Sequence, residues 1–128
     1  MPPCCHVAAP VLISIVDDEA SVREALCRLL RTVGFEVNAF ASAEAYLSSD
    51  QPKSPDCLIL DVRMPGKSGI ELHRELVGND SKIPVIFITA YEDESVHAQA
   101  LSGHANAVLM KPFSEEALLN AINKALAA

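Results

Sequence analysis

A chain of 128 residues, half of them hydrophobic, suits one domain with one buried core. Its formal charge of -7 would repel a phosphate backbone, and an aromatic content of 5% without Trp removes the stacking surfaces of single-strand binders, so no direct nucleic-acid binding by this chain is expected. No apolar run approaches the roughly 20 residues that cross a bilayer, and the start lacks the basic and apolar regions of a signal peptide, so a soluble, cytoplasmic protein with no membrane partner is expected.

Residues 1–10 hold Pro2, Pro3, Cys4, Cys5 and His6 and read as a disordered leader. Those cysteines and the histidine are soft-metal ligand types, but no partner spacing supports a zinc site. Over residues 11–128, short β-branched runs alternate with helix-period segments, the pattern of one domain with a parallel sheet covered by helices. Residues 11–16 form a nearly continuous apolar run, as expected of a strand buried on both faces, and it stops at Asp17 and Asp18. Val22, Leu26, Leu29, Leu30 and Val33 then recur as one face of a helix, with Asp18 as its N-cap and Gly34 as its left-handed stop. Residues 35–40 alternate apolar and polar, which suits an edge strand, and Ser42 caps a short helix carrying Ala45, Tyr46 and Leu47. A proline-bounded loop follows. Cys57, Leu58, Ile59 and Leu60 make a third strand ending at Asp61, before a turn with Pro65, Gly66 and Gly69 and a helix over about 70–77. The fourth strand covers 83–88, with Pro84 tolerated only near its start, and ends at Thr89. A polar helix over 93–101 and a fifth strand over 105–110, ending at Lys111, come next. Ser114 caps a last helix faced by Leu118, Ala121, Ile122 and Ala125. Cys27 and Cys57 lie within apolar patterns and read as small buried hydrophobes in reduced form.

The polar residues that stand out all fall at the carboxyl ends of strands: Asp17 and Asp18 after the first, Asp61 after the third, Thr89 after the fourth, Lys111 after the fifth. In an open α/β sheet that is where the ligand crevice lies. Three carboxylates against one ammonium leave a negative pocket, and hard oxygens without His or Cys suit Mg²⁺ completed by phosphate oxygens. Phosphoryl transfer needs a positioned nucleophile and neutralised charge, and a carboxylate can serve as that nucleophile. Asp61 stands alone on its strand end, which leaves the adjacent Asp17 and Asp18 for the metal. Lys111 would bind phosphoryl oxygen as a point charge and Thr89 would donate its hydroxyl.

Asp17-Asp18, the run Leu60-Asp61-Val62-Arg63-Met64-Pro65-Gly66 with Gly69, Thr89-Ala90 and Lys111-Pro112-Phe113 together resemble the receiver domain of bacterial two-component response regulators, over residues 11–126. The resemblance implies a flavodoxin-like, doubly wound, five-stranded parallel sheet of order 2-1-3-4-5 with five helices. It implies that Asp17, Asp18, Asp61 and the backbone carbonyl of Arg63 hold Mg²⁺, that Asp61 is the phosphoacceptor, and that Thr89 and Lys111 contact the phosphoryl group. It also implies a cis Lys111-Pro112 bond. The donor would be a sensor histidine kinase or a phosphotransfer protein within a phosphorelay. Phosphorylation would bias a two-state equilibrium and alter the face made by the fourth helix, fifth strand and fifth helix, a face suited to homodimerisation or partner docking. Met64-Pro65-Gly66 is similar to receivers joined to LuxR-type DNA-binding domains. Such a domain signals rather than turns over substrate, although it would catalyse its own phosphorylation and slow dephosphorylation.

The chain departs from the family pattern at Val108, where an aromatic is usual three residues before the lysine; this switch position is therefore altered. His104 replaces a frequent glycine. Tyr91 is expected to overhang the site, and Arg63 and Tyr91 to hinder attacking water, prolonging the phosphorylated state. His73, His97 and His104 read as solvated surface histidines. Two other functions fit parts of this pattern. One is a metal-dependent phosphatase working through an aspartyl-phosphate, although Arg63 stands where such enzymes carry a second aspartate. The other is a receiver-like interaction module independent of phosphorylation.

Overall fold

A computed structural model describes residues 11–49, 55–64, 66–79, 82–89, 107–111 and 113–127. Its strands are β1 (Leu12–Val16), β2 (Glu36–Phe40), β3 (Cys57–Asp61), β4 (Val85–Thr89) and β5 (Ala107–Met110). All neighbours pair in parallel in the order β2-β1-β3-β4-β5, as expected from the family resemblance. The near-continuous apolar runs β1, β3 and β4 are buried at every residue and fill the centre of the sheet. The alternating strand β2 lies at one edge with only Val37 buried, and β5 is half-buried along its length at the other.

Four helices are present among the described residues: α1 (Ala20–Val33), α2 (Ala43–Leu47), α3 (Gly69–Gly78) and α4 (Glu115–Ala127). Leu26 and Leu30 of α1, with Leu118, Ala121, Ile122 and Ala125 of α4, pack on Ile13, Ile15, Ile59, Ile86 and Ile88. On the opposite face, Ala43 and Tyr46 of α2 and Ile70 and Leu72 of α3 meet Val16, Leu58, Leu60, Val85 and Phe87. Each fully buried aliphatic side chain contributes about 1.5–3 kcal/mol through its removal from water, so these two layers dominate stability. The leader, the predicted helix over 93–101, residues 105 and 106, Tyr91, His97, His104 and Pro112 with its peptide bond lie outside the described residues.

The caps correct the sequence reading in places. Ser42 and Ser114 cap as expected, their hydroxyls accepting from the N–H groups of Ala45 and Ala117 at 3.0 Å. Gly34 ends α1 at φ 113°, a left-handed backbone that favours glycine. Asp18, however, does not cap α1; Glu19 occupies that position without a side-chain cap, its carboxylate accepting from Lys111 at 3.1 Å while its N–H donates to Asp17 Oδ1 at 2.9 Å. Helix α3 begins at Gly69 rather than Ile70 and carries an unforeseen capping box between Ser68 and Glu71. Strand β4 starts at Val85, two residues later than predicted, since Pro84 has no N–H for the ladder; its carbonyl still accepts from Leu58 N–H at 2.9 Å. Val33 is half exposed instead of facing the core.

His73 is the clearest reversal. It is buried, not solvated, and its ring meets Phe87 edge-on at 5.3 Å between centroids. Helical phase explains this, because residue 73 lies one turn from Ile70 and Gly69, both buried against the sheet. Cys57 behaves as expected: burial pushes its thiol up to about 12. Cys27 is half-buried and packs against the α1 core.

Candidate functional site

Register and strand alternation assemble the site. Val16 pairs with Leu60, Asp61 with Ile88 and Thr89 with Met110, so Asp17, Asp61, Thr89 and Lys111 arrive at one end of the sheet. Alternation then sorts them. Asp17 shares the parity of Ile13 and Ile15, Asp61 that of Cys57 and Ile59, and Lys111 that of Ala107 and Leu109, all on the face covered by α1 and α4. Thr89 shares the parity of Val85 and Phe87, on the opposite face. One backbone hydrogen bond joins the last two strands here, from Lys111 N–H to the Thr89 carbonyl at 2.7 Å.

The ammonium of Lys111 sits among three carboxylates: 3.0 Å from Asp17 Oδ2, 3.1 Å from Glu19 Oε1 and 3.7 Å from Asp61 Oδ2. Oxygens of Asp17, Glu19 and Asp61 lie within 4.8 Å of one another. Asp17 is held from several sides: its carbonyl accepts from Arg23 at 2.7 Å, and its N–H donates to the Phe40 carbonyl at 3.1 Å. Among the described residues its buried Oδ2 accepts no aligned hydrogen bond, although Lys111 is close.

Burial first, and then the charge of Asp17, push the Asp61 carboxyl up to about 7, against the opposing pull of Lys111 and a hydrogen bond from the Arg63 backbone. A hydrogen bond with Asp18 pushes in the same direction as burial. For Lys111, burial opposes the charge, but the attraction of the Asp17, Glu19 and Asp61 carboxylates outweighs it, so its pKa is raised. Three carboxylates against one ammonium leave the pocket short of positive charge. Hard oxygens, a charge deficit and an unsatisfied buried oxygen fit a small divalent cation such as Mg²⁺.

Of the residues singled out by sequence, Asp17, Asp61 and Lys111 meet directly, and Thr89 is buried at the end of the neighbouring strand β4. Asp18 is exposed and outside the tight trio, although it reaches Asp61 through the hydrogen bond noted above. Arg63 is exposed. Val108 is half-buried opposite Phe87 and packs on the second core layer. Sequence reasoning missed Glu19, and its signal was available: a third acid directly after an aspartate pair at a strand end. It also understated Gly69, where an added Cβ would stand 2.2 Å from the Asp61 carbonyl oxygen; only glycine lets α3 start so close to that strand.

An open sheet whose order reverses between β1 and β3, with an oxygen-rich crevice outside that reversal, defines a flavodoxin-like α/β protein with an acidic pocket. Residues 13–123 match the response regulator receiver domain family. The chain is 42% identical over 117 residues to Nodulation protein W of Bradyrhizobium diazoefficiens, covering 91% of this chain and 52% of that protein. It is 42% identical over 115 residues to Transcriptional regulatory protein TdiR of Thauera aromatica, covering 90% and 51%. The chain thus spans about half the length of these curated relatives. The solved structure of response regulator StyR superposes with a TM-score of 0.85 at 45% identity, covering 93% of this chain and 60% of that one. FixJ-N superposes with a TM-score of 0.85 at 35% identity, covering 94% and 96%. The chain belongs to the receiver domain family of two-component response regulators: it is a phosphoacceptor signalling domain rather than a conventional turnover enzyme. No helix among the described residues is long and apolar enough to cross a membrane.

Proposed function

We propose that Asp61 is the phosphoacceptor of this receiver domain, which spans residues 11–128. The observation that carries the assignment is its position: a buried carboxylate ending the central strand β3, beside Asp17 and 3.7 Å from the ammonium of Lys111. Asp17, Asp18 and Asp61, with the Arg63 backbone carbonyl, would hold Mg²⁺. When bound, that cation neutralises charge on the phosphoryl oxygens. An Asp61 oxygen forms the new O–P bond while the N–P bond to the donor's phosphohistidine breaks, and the electron pair leaves with the imidazole. The Lys111 ammonium and the Thr89 hydroxyl bind the transferred oxygens. The domain thereby catalyses its own phosphorylation and its slow dephosphorylation, in which a water oxygen bonds to phosphorus while the P–O bond to Asp61 breaks and its carboxylate leaves, a step that Arg63 and Tyr91 retard.

The donor is a sensor histidine kinase or phosphotransfer protein, and the location is cytoplasmic. The responding face includes β5 and α4, available for a second copy or another partner. Half-length coverage of TdiR and FixJ, both named transcriptional regulatory proteins, supports an output on transcription, which we assign to a LuxR-type domain.

The test is incubation with Mg²⁺ and a small acyl phosphate, followed by intact mass. The wild type gains one phosphoryl group, while Asp61→Ala and a Mg²⁺-free control gain none. Equal labelling of Asp61→Ala would remove the assignment.

A further inference from the structure

We infer that Glu19 is a positioning residue that holds Lys111 at the rim of the pocket when a divalent cation takes the oxygens of Asp17 and Asp61. The inference rests on the cation reading proposed above. Lys111 cannot stay where it is once that cation arrives, because its ammonium lies 3.0 Å from Asp17 Oδ2 and 3.7 Å from Asp61 Oδ2. Like charges at such separations repel strongly in a partly desolvated site. Its backbone cannot follow, being tied to the Thr89 carbonyl at 2.7 Å. Only the side-chain end moves, and it needs an anion to move toward.

Glu19 meets that need. Its Oε1 already accepts a hydrogen bond from Lys111 Nζ at 3.1 Å. The Glu19 side chain is 55% exposed whereas that of Asp17 is fully buried, so the rim carboxylate keeps its hydration and can share an ammonium at little desolvation cost. The buried Asp17 Oδ2, without an aligned hydrogen bond, is the oxygen that a cation would relieve. Glu19 also donates its backbone N–H to Asp17 Oδ1 at 2.9 Å, so one residue aims the buried carboxylate and parks the lysine. The ammonium has three protons, enough to keep Glu19 while turning toward phosphoryl oxygen.

The competing role, direct ligation by Glu19, is separated by a double-mutant cycle. Mg²⁺ is titrated calorimetrically into wild type, Glu19→Gln, Lys111→Met and the double variant, with melting curves showing that each is folded. Glu19→Gln should weaken Mg²⁺ binding about threefold with Lys111 present, the scale of one partly exposed ion pair. In the Lys111→Met background the same change should alter binding by less than about 1.5-fold at physiological salt, because screening leaves little direct attraction. Proton–nitrogen spectra of the lysine ammonium groups give a second reading: the Lys111 signal persists in Mg²⁺-saturated wild type and vanishes in Glu19→Gln. Glu19→Asp, shorter in reach but equally charged, should fall between. Equal weakening in both backgrounds makes Glu19 a ligand and overturns the inference, as does no weakening in either. Failure of the wild type to bind Mg²⁺ overturns the cation reading itself.

Discussion

The central strands and the β5 edge do opposite work. Strands β1 and β3 are covered on both faces and lead into Asp17 and Asp61, whereas β5 is half-buried throughout and leads into Lys111. Close packing leaves a covered strand few alternative positions, so Asp61 cannot escape burial or withdraw from Asp17, and both keep its pKa raised. The ammonium is carried by the half-buried edge strand. Fixed anions and an adjustable cation are what a domain needs if a metal and a phosphoryl group are to enter the same pocket.

Substitutions can break this comparison, beginning with the core. Ile59→Ala should cost about 3–4 kcal/mol, while Leu109→Ala on β5 should cost about half as much, because its site can relax toward solvent. Urea unfolding measures both, and equal losses would show that the edge is as constrained as the centre. Next comes Gly69→Ala. Its Cβ would overlap the Asp61 carbonyl, and pushing α3 away should cost about 2–3 kcal/mol and also weaken Mg²⁺ binding. Loss of stability with unchanged Mg²⁺ affinity would uncouple α3 from the pocket.

Asp61→Asn tests the cost of burying this charge beside Asp17. The folded carboxyl titrates near 7, above the value of about 4 for an unfolded chain, so the native state binds the extra proton. Stability of the metal-free protein therefore falls as pH rises from about 4 to 7, and the full cost remains above 7. Removing the charge should stabilise the metal-free protein by about 1–2 kcal/mol at pH 8, by less at pH 6 and not at all below pH 4. Denaturation in chelator at those pH values checks the sign; destabilisation at pH 8 would contradict it. The smallest effect is expected for Val108→Phe, on a half-buried edge residue: a change within about 1 kcal/mol in unfolding free energy.

Much of the architecture was legible because burial on two faces requires uninterrupted apolar runs, and β1, β3 and β4 carry them. The site was legible for a related reason: Asp17, Asp61, Thr89 and Lys111 each end such a run, and parallel register carries them to one end. Glu19 was harder to see, since an exposed acid at a helix start has an ordinary solvated explanation and only the reach of Lys111 from β5 makes it part of the pocket. His73 was misjudged because a polar side chain lowers the apolar count of a helix face even where geometry buries it. The first cap fell to Glu19 rather than Asp18, and its carboxylate is turned to Lys111 instead of the helix start.

The thiol of Cys57 lies at the start of the strand that ends in Asp61, and burial raises it to about 12. At neutral pH very little of it is the reactive thiolate. Peroxides and alkylating agents act on thiolates, so the strand bearing the phosphoacceptor is chemically inert toward them, and oxidative stress has no direct route through this sulfur into the signal.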